Sequence, residues 1–201
     1  MSKGEHTRQL IVSRALAMAH RVGLEQVTLG SLANELDLSK SGLFAHFESK
    51  EALQLEVIAE VVAQFTRTVV LPALAMSRGS ERASTLFKGY LRWIHGRPQS
   101  ESGTTGCMFV ALTYEYDDRP GPIRDAVLAA QREWLDALAR VAKSAVDYGM
   151  FSPHVDPRQF AFDFEGIIMS YQFALKVARS RAAEPMARRA FTELLARCTA
   201  R

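Results

Sequence analysis

Several features are scarce in this chain, and each scarcity excludes something. Its 201 residues hold two cysteines, Cys107 and Cys198, too few for a disulfide framework. In a reducing compartment both read as free thiols, with a redox-sensing pair as the alternative. The five histidines, His6, His20, His46, His95 and His154, are scattered, and none joins a cysteine at zinc-ligand spacing. Neither a metal nor another cofactor is expected. The sequence shows no Gly-rich phosphate loop, no paired carboxylates and no nucleophile–base motif, which argues against an enzyme. No apolar run reaches the roughly 18–20 residues of a membrane span, and Met1–Leu10 lacks the apolar core of a signal peptide. The expectation is a cytoplasmic protein with no membrane partner. Charge of one sign is also scarce. The net charge is +3, and residues 1–50 carry six Lys/Arg against five Asp/Glu. Bulk charge does not identify a nucleic-acid binder, so evidence for one must come from placement.

What is present is helix. Hydrophobic residues make up 48% of the chain and charged residues 23%, enough to bury a core under a polar surface. Alternating strand patterns bounded by turns are missing, and apolar residues recur at three- and four-residue steps. The expected elements are a helix from Thr7, as N-cap, to Arg21; a second capped by Thr28; a short third capped by Ser39 and reaching Phe47; and a long fourth from Lys50 to Leu71, ended or kinked by Pro72. Helices after "SRGSER" (77–82), over "CMFVALTYEY", over 123–148 and 158–179, and after Pro185 complete the chain. Strand is the competing reading for "CMFVALTYEY". The segment "GRPQSESGTTG" is a loop by composition. The fold class is all-α. A helix-turn-helix domain, residues 1–50, is joined by a long helix to a larger helical domain, residues 51–201.

The short third helix is the informative element. A helix so short and so rich in small residues buries little and is unstable alone. Its purpose must lie on its outer face. A helix, a tight turn at Asp37-Leu38 and a second short helix form the helix-turn-helix arrangement, whose second helix enters the DNA major groove by its N-terminus. On this reading Lys40 can donate to guanine O6/N7 and Ser41 to either kind of base pair, while Gly42 permits close approach and Ala45 meets a thymine methyl. Thr28, Ser39, His46 and Lys50 are candidates for phosphate contacts. Capping alone accounts equally for Thr28 and Ser39, and packing for His46. Leu43, Phe44 and Phe47 form the helix's apolar side and are most simply core.

The stretch "TLGSLANELDLSKSGLFAHFESKEAL" resembles the DNA-binding segment of TetR/AcrR-type transcriptional repressors. The matching pattern is Thr28, Leu32-Ala33, Ser39, Leu43-Phe44, His46-Phe47 and Ser49-Lys50-Glu51-Ala52-Leu53. The likeness covers about residues 7–55, and "GCMFVALTYEYDDRPGPIRDAV" is similar to one subgroup of the family. Three positions depart from the pattern. Asp37 stands where the turn usually has Gly, Phe44 where a Tyr hydroxyl usually reaches a phosphate, and Gly30 where some relatives carry a base-reading Arg. The resemblance implies a homodimeric repressor on a palindromic double-stranded operator, released by a small-molecule effector.

It also implies a ligand pocket and a dimer interface in the C-terminal part. Trp93, Phe109, Tyr114, Tyr116, Phe164 and Tyr171 are candidates for lining a cavity or for plain core. Glu115 and Asp163 lie in apolar context and either orient a polar or cationic effector or face solvent. Gly166, Ser170, Ala174 and Ala178 recur every four residues, a ridge along which another helix can approach closely. Paired with Ala126, Ala130, Trp134, Ala137 and Val141 it suggests a four-helix dimer interface; packing within the chain is the alternative. Two other functions stay open: an enzyme, hinted at by Cys107 after Gly106 near a helix start, and a helical interaction module that binds no DNA.

Overall fold

A computed structural model describes residues 3–95 and 106–199. Among these residues every regular element is helical: α1 (Lys3–Val22), α2 (Leu29–Leu36), α3 (Lys40–Phe44), α4 (Lys50–Phe65), a π-helical turn (Thr66–Val70), α5 (Leu71–Leu74), α6 (Ser80–His95), α7 (Met108–Glu115), α8 (Pro122–Asp147), α9 (Pro157–Gln172), a second π-helical turn (Phe173–Val177) and α10 (Ala183–Thr199). "CMFVALTYEY" is helical, not a strand. The composition-based loop lies outside the described residues except for Gly106. Two packing units divide the chain. Unit 1 contains α1–α4 to Gln64, with α7 and α8 to Ala129; unit 2 contains the other described residues. Residues 1–50 therefore fold within unit 1 alongside later segments.

In unit 1, α1 buries Ile11, Val12, Ala15, Leu16, Met18 and Ala19 along one face. It starts four residues before Thr7, which is a helical residue and not the cap. Gly23 ends it at φ +90°, a left-handed conformation that favours glycine. Thr28 accepts from the Ser31 N–H at 3.0 Å, and Ser31 returns the bond to the Thr28 N–H, a reciprocal box that starts α2. Asp37 ends α2 at φ 55°, a backbone that Asp tolerates better than most residues. Its N–H and that of Leu38 both close on the Ala33 carbonyl. Ser39 then accepts from the Gly42 N–H at 3.0 Å and starts α3. This helix stops at Phe44, three residues short of the expected end, because the chain must turn to bury Phe47.

Pro72 does not end the fourth helix at once: the helical run reaches Leu74, with a π-turn just before the proline. A π-helical turn precedes Pro72, so the Leu71 N–H bonds to the Thr66 carbonyl five residues back. That wider turn accommodates a residue without an N–H. The helical run Lys50–Leu74 also corrects the expectation about apolar length. It is 25 residues long, and one 18-residue window has a mean hydropathy of 1.5, enough by length and composition to cross a membrane. Leu53, Val57, Val61, Phe65, Val69 and Ala73 form its buried stripe at four-residue spacing, the pattern of a helix with one face in a protein core.

Unit 2 is built on aromatic packing. Phe87 of α6 stacks on Phe191 of α10 at 4.1 Å, and Phe164 of α9 meets both edge-on. Gly89 lets α6 approach the first π-turn, where an added Cβ would touch Val69 at 3.4 Å. The second π-turn inserts a residue of register into the helix after Gln172. The spacing Gly166, Ser170, Ala174, Ala178 is therefore not one straight ridge.

Candidate nucleic-acid interface

The recognition segment is α2–turn–α3, and its geometry follows from its caps. Thr28, Ser39, Ser41, Phe44 and Ala45 are exposed, while Gly42 and His46 are half-buried. Lys40 opens α3, but its side chain lies outside the described residues. Ser39 Oγ lies 3.2 Å from Ser41 Oγ, so the two hydroxyls form one polar edge at the helix start. A Cβ at Gly42 would stand 3.1 Å from Ser39 Oγ. The glycine thus keeps room for the cap, a local reason that the sequence reading did not include. Phe44 is not core: it is 53% exposed, whereas Leu43 and Phe47 are almost fully buried. Helix periodicity explains the difference, because Phe44 points about 100° away from Leu43.

What holds α3 comes largely from α1, which the sequence reading did not single out. The Arg8 guanidinium covers the Phe47 ring at 4.3 Å, donates to the His46 carbonyl and pairs with Glu56. One arginine thus ties the end of α3 to α1 and α4. Lys50 is similarly engaged. Its ammonium donates to the Glu25 carbonyl at 2.6 Å and pairs with the Glu25 carboxylate at 2.7 Å. That hydrogen bond holds the Glu25 carboxyl below its usual range.

The loop between α1 and α2 is held from α7. The Leu24 and Glu25 N–H groups donate to the two oxygens of Glu115 at 3.1 and 2.7 Å. Next to it the Tyr116 hydroxyl donates to Glu25 at 3.2 Å, and Gln54 donates to the Leu24 carbonyl at 2.9 Å. Burial raises the Tyr116 pKa, so the phenol remains a donor. Glu115 is a loop clamp, a role that neither sequence reading of it had included. A glutamate ending an apolar helix was the available signal; its partners, about ninety residues away in the chain, had none.

Of the cavity candidates in unit 1, Phe109 and Tyr116 are buried and Tyr114 is 62% exposed. In unit 2, Phe164 and Tyr171 are buried and Trp93 is half-buried. The Tyr171 hydroxyl lies 2.6 Å from His95 Nε2, and burial pushes its pKa up to about 12. Cys107 is buried, its N–H donating to Gln172 at 2.6 Å. Asp163 is half-buried and pairs with Arg197 at 3.0 Å.

Of the dimer candidates, Gly166, Ser170 and Ala178 are exposed and Ala174 is half-exposed. Trp134 and Val141 are buried within unit 2, and Ala130 and Ala137 are half-exposed; Ala126 belongs to unit 1. The face that adjoins the α9 ridge is on α10. A groove of about 500 Å³ runs between them, lined by Phe162, Gly166, Ile167, Ser170, Met186 and Ala187 among others. Glu165, on the opposite side of α9, was not anticipated either. It is one of two acids, with Asp163, inside the otherwise apolar run "FAFDFEGIIMSY".

Comparison with known proteins agrees with this geometry. Residues 11–57 match the family model described as bacterial regulatory proteins, tetR family, and residues 79–191 match the tetracyclin repressor-like C-terminal domain. The chain is 26% identical over 170 residues to the HTH-type transcriptional regulator SrpR of Pseudomonas putida, covering 83% of this chain and 74% of that protein. A TetR-family regulator from Cytophaga hutchinsonii superposes with a TM-score of 0.84 at 20% identity, covering 100% of this chain and 98% of that one. AibR, solved with isovaleryl coenzyme A and operator DNA, superposes with a TM-score of 0.69 at 19% identity, covering 93% and 95% of the two chains.

Proposed function

Because the chain belongs to the tetR family of bacterial regulatory proteins, we propose that it is a ligand-responsive transcriptional repressor, not an enzyme. It acts in the cytoplasm as a homodimer on a palindromic operator and is released by a small-molecule effector. Residues 1–50 form the DNA-binding domain and residues 51–201 the ligand-binding and dimerisation domain. The observation that carries this reading is the exposed face of α3. It presents Ser39, Ser41, Phe44 and Ala45 outward on a five-residue helix that is capped and tied down from α1.

Lys40 and Ser41 read base edges, and Ala45 gives apolar contact to a thymine methyl. Thr28 and Ser39 place phosphates, with His46 beside them. Gly42 maintains the close packing of the helix start. Phe44 packs against the groove wall without the phosphate bond a tyrosine would make. Lys50 contributes positive charge near the backbone while remaining paired with Glu25. Tyr171 and Phe164 belong to the ligand-binding domain. Its effector acts by binding unequally to two dimer shapes, only one of which fits successive major grooves.

The test is a binding titration against DNA flanking the chain's own gene, at two salt concentrations. Specific binding should weaken steeply with salt. Lys40→Ala should cost about 1–3 kcal/mol of specific affinity and relax sequence preference. Binding that ignores salt, or a Lys40→Ala variant as tight and selective as the parent, would overturn the assignment.

A further inference from the structure

Glu165 is the one charged residue counted among the buried side chains of the described residues, 8% exposed on α9. Its Oε2 accepts from the Trp134 indole N–H at 2.8 Å. Its Oε1 has no hydrogen-bond partner among the described residues. Burial pushes its pKa up, against the lowering effect of the Trp134 bond. A carboxylate in such a place is strongly disfavoured unless something pairs with it.

Trp134 also belongs to a set of aromatic rings in the same unit. The Phe65 ring lies 5.0 Å from Tyr90, 5.6 Å from Trp93 and 5.0 Å from Trp134, centroid to centroid, and nearly perpendicular to the two tryptophans. Tyr90 and Trp134 are 5.6 Å apart. Phe65 thus stands in the middle of three other rings, one of which holds the orphaned carboxylate.

Building on the ligand-responsive reading above, we propose that this part of unit 2 binds an organic ammonium ion. Glu165 is its counter-charge, and Tyr90, Trp93 and Trp134 surround it. A cation in the position of the Phe65 ring would lie within the ~6 Å over which ring faces attract positive charge. Phe65 is the residue immediately before the first π-turn. Turns of this kind are frequent at functional sites, and binding requires the Phe65 ring to swing out from between the other rings. A neutral guest leaves Glu165 Oε1 unpaired, and an anion is repelled by it. A divalent metal is a poor occupant, since one carboxylate and aromatic carbon supply too few oxygen ligands.

Trp93 and Trp134 are the chain's only two tryptophans, so intrinsic fluorescence reports on the site directly. The full chain, free of DNA, is titrated with phenyltrimethylammonium and with its neutral isostere tert-butylbenzene. The same titrations are run on Glu165→Gln and on Trp93→Leu, with thermal unfolding to check folding. The expected result is a saturable change with the cation, about tenfold or more weaker with the isostere and about tenfold or more weaker in Glu165→Gln. Trp93→Leu, a change at a half-buried ring, weakens binding severalfold and keeps the test informative should Glu165→Gln unfold. No saturation at millimolar cation, equal binding of the isostere, or unchanged binding by folded Glu165→Gln would overturn the proposal. Operator binding is scored separately. A chain that releases DNA to another effector but ignores the cation loses this site and keeps its regulatory role; one that binds the cation but no DNA does the reverse.

Discussion

Glu115 receives two backbone N–H groups from the loop that leads into α2. Hydrogen bonds to a charged group contribute about 1.5–3 kcal/mol each, and a donor left unmet in a partly buried place costs a similar amount. Glu115→Ala removes both acceptors at once and should destabilise the chain by about 2–3 kcal/mol in chemical denaturation. Glu115→Gln keeps one carbonyl oxygen and should lose roughly half as much. Equal stability of Glu115→Ala and the parent would mean that water or the loop itself replaces the clamp. The interaction was hidden from the sequence for a plain reason. A carboxylate at the end of an apolar helix announces that it needs partners, but not which loop supplies them. The same holds for Arg8, whose partners His46, Phe47 and Glu56 are all distant in the chain.

At the scale of elements, local chemistry was more legible. Thr28, Ser39 and Ser49 each accept from an N–H three residues on, as their side chains and the apolar periodicity after them required. The boundaries that went astray were those decided by packing at a distance: the early end of α3 and the passage of the fourth helix beyond Pro72. Asp37 is a case where the departure from the family's glycine can be weighed. It adopts φ 55°, and a left-handed residue with a Cβ costs roughly 1–2 kcal/mol relative to glycine, partly offset in Asp by local hydrogen bonding. Asp37→Gly should therefore raise stability by up to about 1 kcal/mol, and Asp37→Ala should lower it by a similar amount. A less stable Asp37→Gly would show that the carboxylate itself supports the turn.

At the scale of the whole molecule, the decisive surface is the one unit 2 leaves uncovered. Phe162 is 72% exposed, Phe173 60%, Val177 66% and Met186 60%. All four lie on α9, the turn after it, or α10. Apolar area of this kind on neighbouring helices marks an interaction site. The expected partner for the small-residue ridge was α8, but Trp134 and Val141 are buried, and Trp134 packs against Phe65, Tyr90 and Phe164 of its own unit. On the homodimer proposed above, the helix pair that a second copy would meet is α9 with α10, where the groove and the exposed apolar residues lie. A two-fold axis through their groove makes the face its own complement, four helices from two chains. Ser170 lies in that groove and is exposed in the single chain, so Ser170→Arg should leave the fold intact while placing two guanidinium groups against each other across the axis. Sedimentation should show the parent as a dimer and the variant as a monomer at the same concentration. Operator affinity should fall with it, because two recognition helices must span about 34–36 Å to read successive half-sites, and a monomer reads only one. A Ser170→Arg chain that remains dimeric would move the axis elsewhere on the molecule. One that is monomeric yet binds the operator as tightly as the parent would separate DNA reading from dimerisation.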